Sequence, residues 1–457
     1  MQTAGLLGLG LGAERLPARE AQQAPRPVPA PAQFRWQEAE IGIIFHFDMP
    51  IAAGVFAPNN AVRRVFDPNR YAPARLDTDQ WVAAAKAAGA RYAVFTATHF
   101  NGFLQWQSEA YPYGLKQSRW RNGKGDVVGD FVRSCRKVGL LPGLYLSTHR
   151  NAWWTVWGHW VDWGKGRGTP KQAAFNRAAE QMARELCSHY GPLIQIWYDA
   201  GVKTPEEGGP DVLPIFEKHQ PDSVFYHNLR RSDHRWVGNE AGAAGDPCWA
   251  TMPNRGEVSH NSASWQPYLK NGDPQGSVWS PAMCDTTLRG ARGVHHWVWR
   301  PNGERGIRSV ENLLSIYETS VGRNSNLVLG VVITPEGLVP EPDARRLAEF
   351  GKALRPYLNP LAETSGQGAE VTLRLSPPQR ANAAVLMEDI RLGERVREHS
   401  LEGLQADGQW TELTRGQSIG HKWIHRFPLQ ELAAIRLHVR KADRPPRIRR
   451  LAALRLP

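Results

Sequence analysis

The stretch LIQIWYD, Leu193 to Asp199, is an apolar run that stops on a carboxylate. Unbroken runs of this length read as strands buried on both faces, as parallel strands are beneath covering helices. An unpaired charge inside such a strand is too costly, so Asp199 is expected at its carboxyl end. That end is where α/β barrels and open α/β sheets carry their chemistry. A rim ion pair would explain Asp199 alone equally well, because structural pairs mimic sites. What separates the two is whether the rest of the chain repeats the pattern.

It does. Runs at Ile41–Phe47, Tyr92–Ala97, Gly143–Ser147, Leu193–Tyr198, Ser223–Tyr226, Trp236–Val237, Val294–Trp299 and Asn326–Val331 read as strands. Helical patterns lie between them. Thr78 is read as the N-cap of DQWVAAAKAAGA, Asp126 as the opening of VVGDFVRSCRKVG, and Ala173–Tyr190, Leu213–His219 and Ser309–Val321 continue the series. Repeated strand–helix alternation predicts parallel strands with right-handed crossovers, hence a (β/α)8 barrel. An open doubly wound sheet is disfavoured, since no Gly-rich phosphate loop follows the first strand. After a helix at Pro342–Arg355 the texture changes to short alternating runs: Val371–Leu375, Ala384–Met387, Arg395–Leu401, Gln409–Leu413, Trp423–Phe427, Ala434–Val439 and Ile448–Leu454. These predict a β-sandwich. The expected organisation is a tail over 1–33, a barrel over 34–358, a linker over 359–368 and a sandwich over 369–457.

A chain of 457 residues suits that division into a barrel and a smaller domain. No apolar run approaches the length of a bilayer span. The four cysteines have no metal-type spacing and are too few for a disulfide framework. The net charge of +12 raises nucleic acid as a partner, but no motif supports it. The region Gly366 to Pro457 holds sixteen basic and ten acidic side chains, a basic face of the accessory domain. At the amino terminus, AGLLGLGLGA (Ala4–Ala13) and the Pro/Ala/Gln tract after it resemble the apolar core and tail of an export signal. The basic residues that open such signals are missing, so the true start is expected upstream and the protein is expected in the periplasm or medium. A disordered tail is the alternative reading.

Functional groups recur where the runs end. His46, His99, His149, Asp199, His227–Asn228, Glu240 and Trp299–Arg300 follow successive strands. One such histidine is unremarkable, whereas convergence from many strand ends marks a binding site. Two carboxylates on different strand ends, Asp199 and Glu240, are what retaining glycoside hydrolysis requires, one as nucleophile and one as acid/base. The loop NAWWTVWGHWVDWG, with Trp153, Trp154, Trp157, Trp160 and Trp163, offers flat apolar faces for sugar C–H groups or serves as a packed lid. No cofactor or metal is called for.

Several of these stretches resemble glycoside hydrolase family 29, the α-L-fucosidases. They are Leu76–Trp106, Arg121–Ser147, IQIWYDAG (Ile194–Gly201), RWVGNE (Arg235–Glu240), CWAT (Cys248–Thr251) and SVGRNSNLVL (Ser320–Leu329). LDTDQW and GNE look most like the subgroup cleaving α-1,3/1,4-linked fucose. The tail, including SIGHKWIHRF, is similar to the β-sandwich often appended to these enzymes. The resemblance implies a fucosylated or related glycan as substrate, Asp199 as nucleophile and Glu240 as acid/base. It further implies that His46, His99 and Trp197 contact the sugar, with Phe100 at the second position of the H-H-D-G-F motif; His149, Trp153 and Trp299 complete the expected substrate-binding set. The chain departs from the family at Phe100, Asn101, Asp48 and Met283. Lost hydrogen-bond partners cost on the order of 1–3 kcal/mol each, so altered specificity is expected. Two rivals remain at this level. A metal-dependent amidohydrolase would want His-x-His where the chain has His46-Phe47-Asp48, and a carbohydrate-binding barrel without catalysis would not need both carboxylates.

Overall fold

A computed structural model describes residues 26–56, 62–253 and 266–457. Eight parallel strands build one sheet: β1 (Ile41–His46), β2 (Tyr92–Thr96), β3 (Leu141–Leu146), β4 (Gln195–Tyr198), β5 (Val224–Tyr226), β6 (Arg235–Trp236), β7 (Ala282–Thr287) and β8 (Ser325–Val332). Neighbours run β5-β4-β3-β2-β1-β8-β7-β6, the ring order of a (β/α)8 barrel. The β5–β6 edge has no ladder among the described residues, and Asp233 bridges it. Its N–H donates to the Phe225 carbonyl at 3.0 Å, and its Oδ2 accepts from the Phe225 N–H at 2.7 Å. His234 fills the same seam, stacked between Trp36 and Tyr226 with ring centroids 4.5 and 4.4 Å away.

Strand periodicity sorts the side chains into two layers. Ile44, Tyr92, Val94, Tyr145, Trp197, Val224, Tyr226, Met283 and Val328 pack inside the barrel. Their sequence neighbours Ile43, Phe45, Ala93, Phe95, Leu144, Leu146, Ile196 and Phe225 face outward, toward the helices. Those helices include α2 (Thr78–Ala87), α3 (Val127–Lys137), α4 (Pro170–Ser188), α5 (Leu213–His219), α6 (Val310–Thr319) and α7 (Glu341–Ala353). A preceding helix, α1 (Pro31–Ala39), seals the amino end of the barrel with buried Trp36, whose indole N–H donates to Gln195 Oε1 at 2.8 Å.

The structure corrects several expectations. The N-cap of α2 is Asp77, which accepts from the Gln80 N–H, whereas Thr78 is buried and bonded to Ser134. Helix α4 begins at Pro170 behind Thr169, earlier than Ala173. The tail assigned to 1–33 ends sooner, because α1 starts at Pro31 and the buried Gln33 amide donates to the Asp233 and Trp279 carbonyls. The apolar Ala4–Ala13 segment lies outside the described residues. The seventh strand is Ala282–Thr287, not Val294–Trp299. The latter alternates like a strand but lies as a loop across the barrel mouth, while the real strand hides in the small and polar sequence AMCDTT.

The carboxyl-terminal domain is an antiparallel β-sandwich of six strands: β9 (Ala362–Gln367), β10 (Glu370–Glu388), β11 (Val396–Leu404), β12 (Trp410–Gly416), β13 (Trp423–Ala442) and β14 (Arg447–Leu454). The segment read as a linker over 359–368 is mostly β9, an edge strand paired with β14; its polar, alternately exposed side chains disguise it. Pairs of short runs fuse into the long strands β10 and β13, whose register breaks at Arg374/Gln379 and Ala381/Ala383 let them serve both layers. The sandwich core continues into Val237, Ala244, Cys248, Ala282 and Cys284 on the outside of the barrel. Polar clamps reinforce this contact. Buried Glu394 accepts from the Ala250 N–H and the Asn324 amide, and Lys422 Nζ meets Glu40 at 2.6 Å.

Beyond β7, fully buried Arg289 is held bidentately by Asp343 of α7 at 2.9 and 2.8 Å. Removing one partner of a buried pair strands the other charge. Asp343→Ala is therefore expected to cost about 3–5 kcal/mol, read as a lowered thermal midpoint of the whole chain. An unchanged midpoint would mean that Arg289 is satisfied elsewhere.

Candidate active site

The inward parity of the strands determines what meets at the carboxyl end of the barrel. Positions 42, 44 and 46 of β1 point inward, as do 143 and 145 of β3, 195 and 197 of β4, and 283 and 285 of β7. His46, Tyr145 and Trp197 are the last inward side chains of their strands, Asp285 lies one step before Thr287 at the end of the β7 series, and Asp199 extends the β4 series by one step. All five line a cavity of about 320 Å³, with Asp48, His99, Phe100, Glu240, His295, Trp297, Arg150 and Arg300 among its other walls. That volume lies in the range of small-ligand sites. Trp297 can lie across the top of β8 because Gly330 leaves room for it: a Cβ there would sit 2.4 Å from the indole.

Besides Asp48, three carboxyl groups face this space. Asp199 Oδ2 accepts from the Tyr145 hydroxyl at 2.9 Å. Burial pushes the Asp199 carboxyl above its ordinary range and Glu240 adds to this, while Tyr145, His99 and the Ala200 N–H favour its charge. Asp285 is buried at the back of the site, with Oδ1 accepting from the Trp236 indole at 2.7 Å. Burial raises it well above the usual carboxylate range, and the charges of Glu240 and Asp199 raise it further. Glu240 projects from the loop after β6. Its Oε2 accepts from the Trp297 indole at 2.8 Å and meets His295 Nε2. These couplings put Asp199, Glu240 and Asp285 in one electrostatic unit.

On the β1–β2 side, His99 Nδ1 pairs with Asp48 Oδ2 at 3.1 Å, and the His46 ring packs against His99, Tyr145 and Trp297. Burial, with His99 beside it, holds the His46 pKa well below its ordinary value, which favours the neutral imidazole. His46 Nδ1, Asp48 Oδ1 and Trp197 Nε1 are buried with no protein partner. Buried polar atoms without partners are costly; here they are the groups a polyhydroxylated ligand would satisfy.

Six of the nine site residues read from sequence meet in this cavity: Asp199, Glu240, His46, His99, Phe100 and Trp197. His149, Trp153 and Trp299 do not. His149 turns to His159, Nδ1 to Nε2 at 3.3 Å, and burial pulls its pKa down to about 4. Trp153 stacks on Tyr113, and Trp299 backs Phe56 from outside the wall. The other indoles of the Trp-rich loop also stay out of the wall: Trp154 packs on Tyr111 and Phe175, and Trp160 carries Arg167. Trp153 and Trp163 are partly exposed, so the loop neither walls this cavity nor forms a fully packed lid.

Tyr145, Trp297, His295 and Arg150 were missed. Tyr145 was legible from strand parity. Trp297 and His295 were concealed by the reading of Val294–Trp299 as a strand. Of the family departures, Asn101 accepts from the Tyr113 hydroxyl and donates to the Arg64 carbonyl, away from the cavity, and Met283 packs inside the barrel below it. Asp48 and Phe100 alone of these change the wall.

Comparison with known proteins agrees with this geometry. The sequence profile of the family described as Alpha-L-fucosidase matches residues 32–358. Alpha-L-fucosidase 1 of Arabidopsis thaliana is 28% identical, covering 92% of this chain and 86% of its own. A provisionally named alpha-L-fucosidase 1 of Oryza sativa subsp. japonica is 30% identical over 92% of this chain and 84% of its own. Among solved structures, a provisionally named alpha-L-fucosidase from Bacteroides thetaiotaomicron superposes with a TM-score of 0.91 at 42% identity, covering 94% of this chain and 100% of that one. The amidohydrolase and catalytically silent readings give way to this match, and the chain belongs to the α-L-fucosidase family, glycoside hydrolase family 29, as a glycosidase.

Proposed function

We propose that this glycosidase removes an α-L-fucosyl or closely related residue from glycans with retention of configuration. The observation that carries the reading is the pair Asp199 and Glu240 in one small cavity. Asp199 is seated at the foot on a tyrosine hydrogen bond, and Glu240 reaches in from the mouth. In the first step Asp199 attacks the anomeric carbon, the glycosidic C–O bond breaks, and Glu240 gives its proton to the departing oxygen. In the second, water attacks the same carbon from the face the aglycone left, Glu240 takes the water's proton, and Asp199 is released. His46 and Trp197 would hold ring hydroxyls through the nitrogens that lack protein partners, with His99 beside them. Asp285, raised by burial and adjacent charge, suits a neutral hydrogen-bond donor better than a second anion. The Ala4–Ala13 stretch supports export to the periplasm or medium, testable by locating the full-length gene product in fractionated cells.

Asp199→Ala is expected to keep the fold and lower turnover of an aryl α-L-fucoside by at least about a thousandfold. Azide added to Asp199→Gly should restore turnover and yield the inverted glycosyl azide. Near-native rates in Asp199→Ala would exclude it as nucleophile.

Glu240→Ala is expected to spare substrates with good leaving groups. A dinitrophenyl-type leaving group departs without a proton, whereas a sugar alkoxide does not. Loss on a natural oligosaccharide should exceed loss on the activated glycoside by about a hundredfold. Equal losses on both would shift the acid/base assignment to Asp285.

Tyr145→Phe removes a donor that stabilises ionised Asp199. The Asp199 pKa should rise, moving the acid limb of the kcat/KM profile to higher pH by about one unit. A limb that stays in place would mean that another group sets it.

A further inference from the structure

One wall of the cavity leads outward through an unusual column of rings and cations. His99, anchored on Asp48, stacks on Phe100 with centroids 4.5 Å apart. The Arg150 guanidinium lies over Phe100 at 4.7 Å and over Trp157 at 4.2 Å. Arg63 covers Trp157 at 4.4 Å and Trp163 at 5.3 Å, and Trp163 is exposed at the surface. The column thus runs from the β2 end of the cavity to solvent.

Contact with ring faces places Arg150 and Arg63 without using their N–H groups as donors to the protein. Neither guanidinium has a carboxylate partner or a hydrogen bond to an acceptor among the described residues, and Arg150 Nε is buried without one. Two guanidinium groups this close repel. Burial and Arg63 both pull Arg150 down from its ordinary pKa, while Asp199 favours its charge. Several arginines elsewhere are committed to carboxylates, as Arg289 to Asp343, Arg231 to Asp233 and Arg436 to Glu402. Unspent, like-charged forks next to a ligand cavity are suited to an oxyanion, which accepts guanidinium N–H donors in pairs.

We propose that Arg150, supported by Arg63 across Trp157, binds an oxyanion substituent of the substrate, a sulfate ester or carboxylate borne by the glycan. This deepens the fucosidase reading and rests on it for the identity of the sugar. The substituent would sit beside Phe100, on the wall the chain has altered. The Asp48, Asp199 and Glu240 carboxylates would repel it from elsewhere in the cavity, so its position is directed as well as bound.

Two measurements on the full chain test this. Calorimetric titration compares L-fucose with its 2-, 3- and 4-O-sulfates, and kinetics compares phenyl with carboxyphenyl α-L-fucoside. These arms separate a charge on the fucosyl ring from one on the neighbouring residue. In at least one arm the anionic member should be favoured by about tenfold to a hundredfold, and Arg150→Gln should abolish that ratio. Arg63→Ala should reduce it partly. Anionic and neutral ligands bound and cleaved alike, or a preference that survives Arg150→Gln, would overturn the proposal. Cleavage of phenyl fucoside with no anion preference would do so while leaving the fucosidase reading intact. Sulfated or carboxylated sugars bound through Arg150 without cleavage of any fucoside would instead count against that reading alone.

Discussion

Desolvation of carboxylates is the constraint on which the molecule is organised. A barrel whose strands are buried on both faces has nowhere to put a charge except at its ends or in a fully bonded pair. Arg289 and Asp343 take the second course. Asp199 and Asp285 take the first, each near the carboxyl end of an inward-facing series and each given one strong donor, Tyr145 or Trp236. Because burial raises both, the site can hold three neighbouring carboxyl groups without three neighbouring charges, and it can assign one to stay ionised and another to hold a proton.

The rest of the structure supports that arrangement. Helix α1 and the His234 stack close the amino end and the β5–β6 seam, so the barrel opens at the end where the cavity lies. The sandwich buries the outer faces of β6 and β7 and grips the approach to β1 and β8 through Glu394, Asn324, Lys422 and Glu40. Its basic surface is a property of its outside. The sandwich contributes no residue to the cavity wall and acts on the site through the strands it fixes.

Most of the barrel was legible because period-two burial and unbroken apolar runs have a simple physical origin. Seven of the eight strands stand close to where the runs put them. The failure at the seventh is instructive. AMCDTT lacks the β-branched apolar side chains that advertise a strand, yet it is buried throughout because ring neighbours and the sandwich cover it. Val294–Trp299 advertises a strand and is a loop, since its aromatic side chains are there to wall a cavity. The same error hid Trp297 and His295. His149, Trp153 and the indole-rich loop show the complementary limit. Chemistry-bearing residues near a strand end point wherever a neighbouring partner takes them, His159 ten residues on for His149 and Tyr113 from another loop for Trp153. The family departures were visible in sequence, but only the fold separates Asn101 and Met283, which are not part of the cavity wall, from Phe100 and Asp48, which line it.

The most direct test of the account is covalent trapping. Incubating the protein with a 2-deoxy-2-fluoro-α-L-fucosyl fluoride slows the second displacement more than the first, and peptide mass spectrometry then locates the sugar. The account predicts a single fluorofucosyl adduct on the carboxylate of Asp199. An adduct on Asp285 or Glu240 would contradict it, as would rapid release of fluoride with inversion and no adduct.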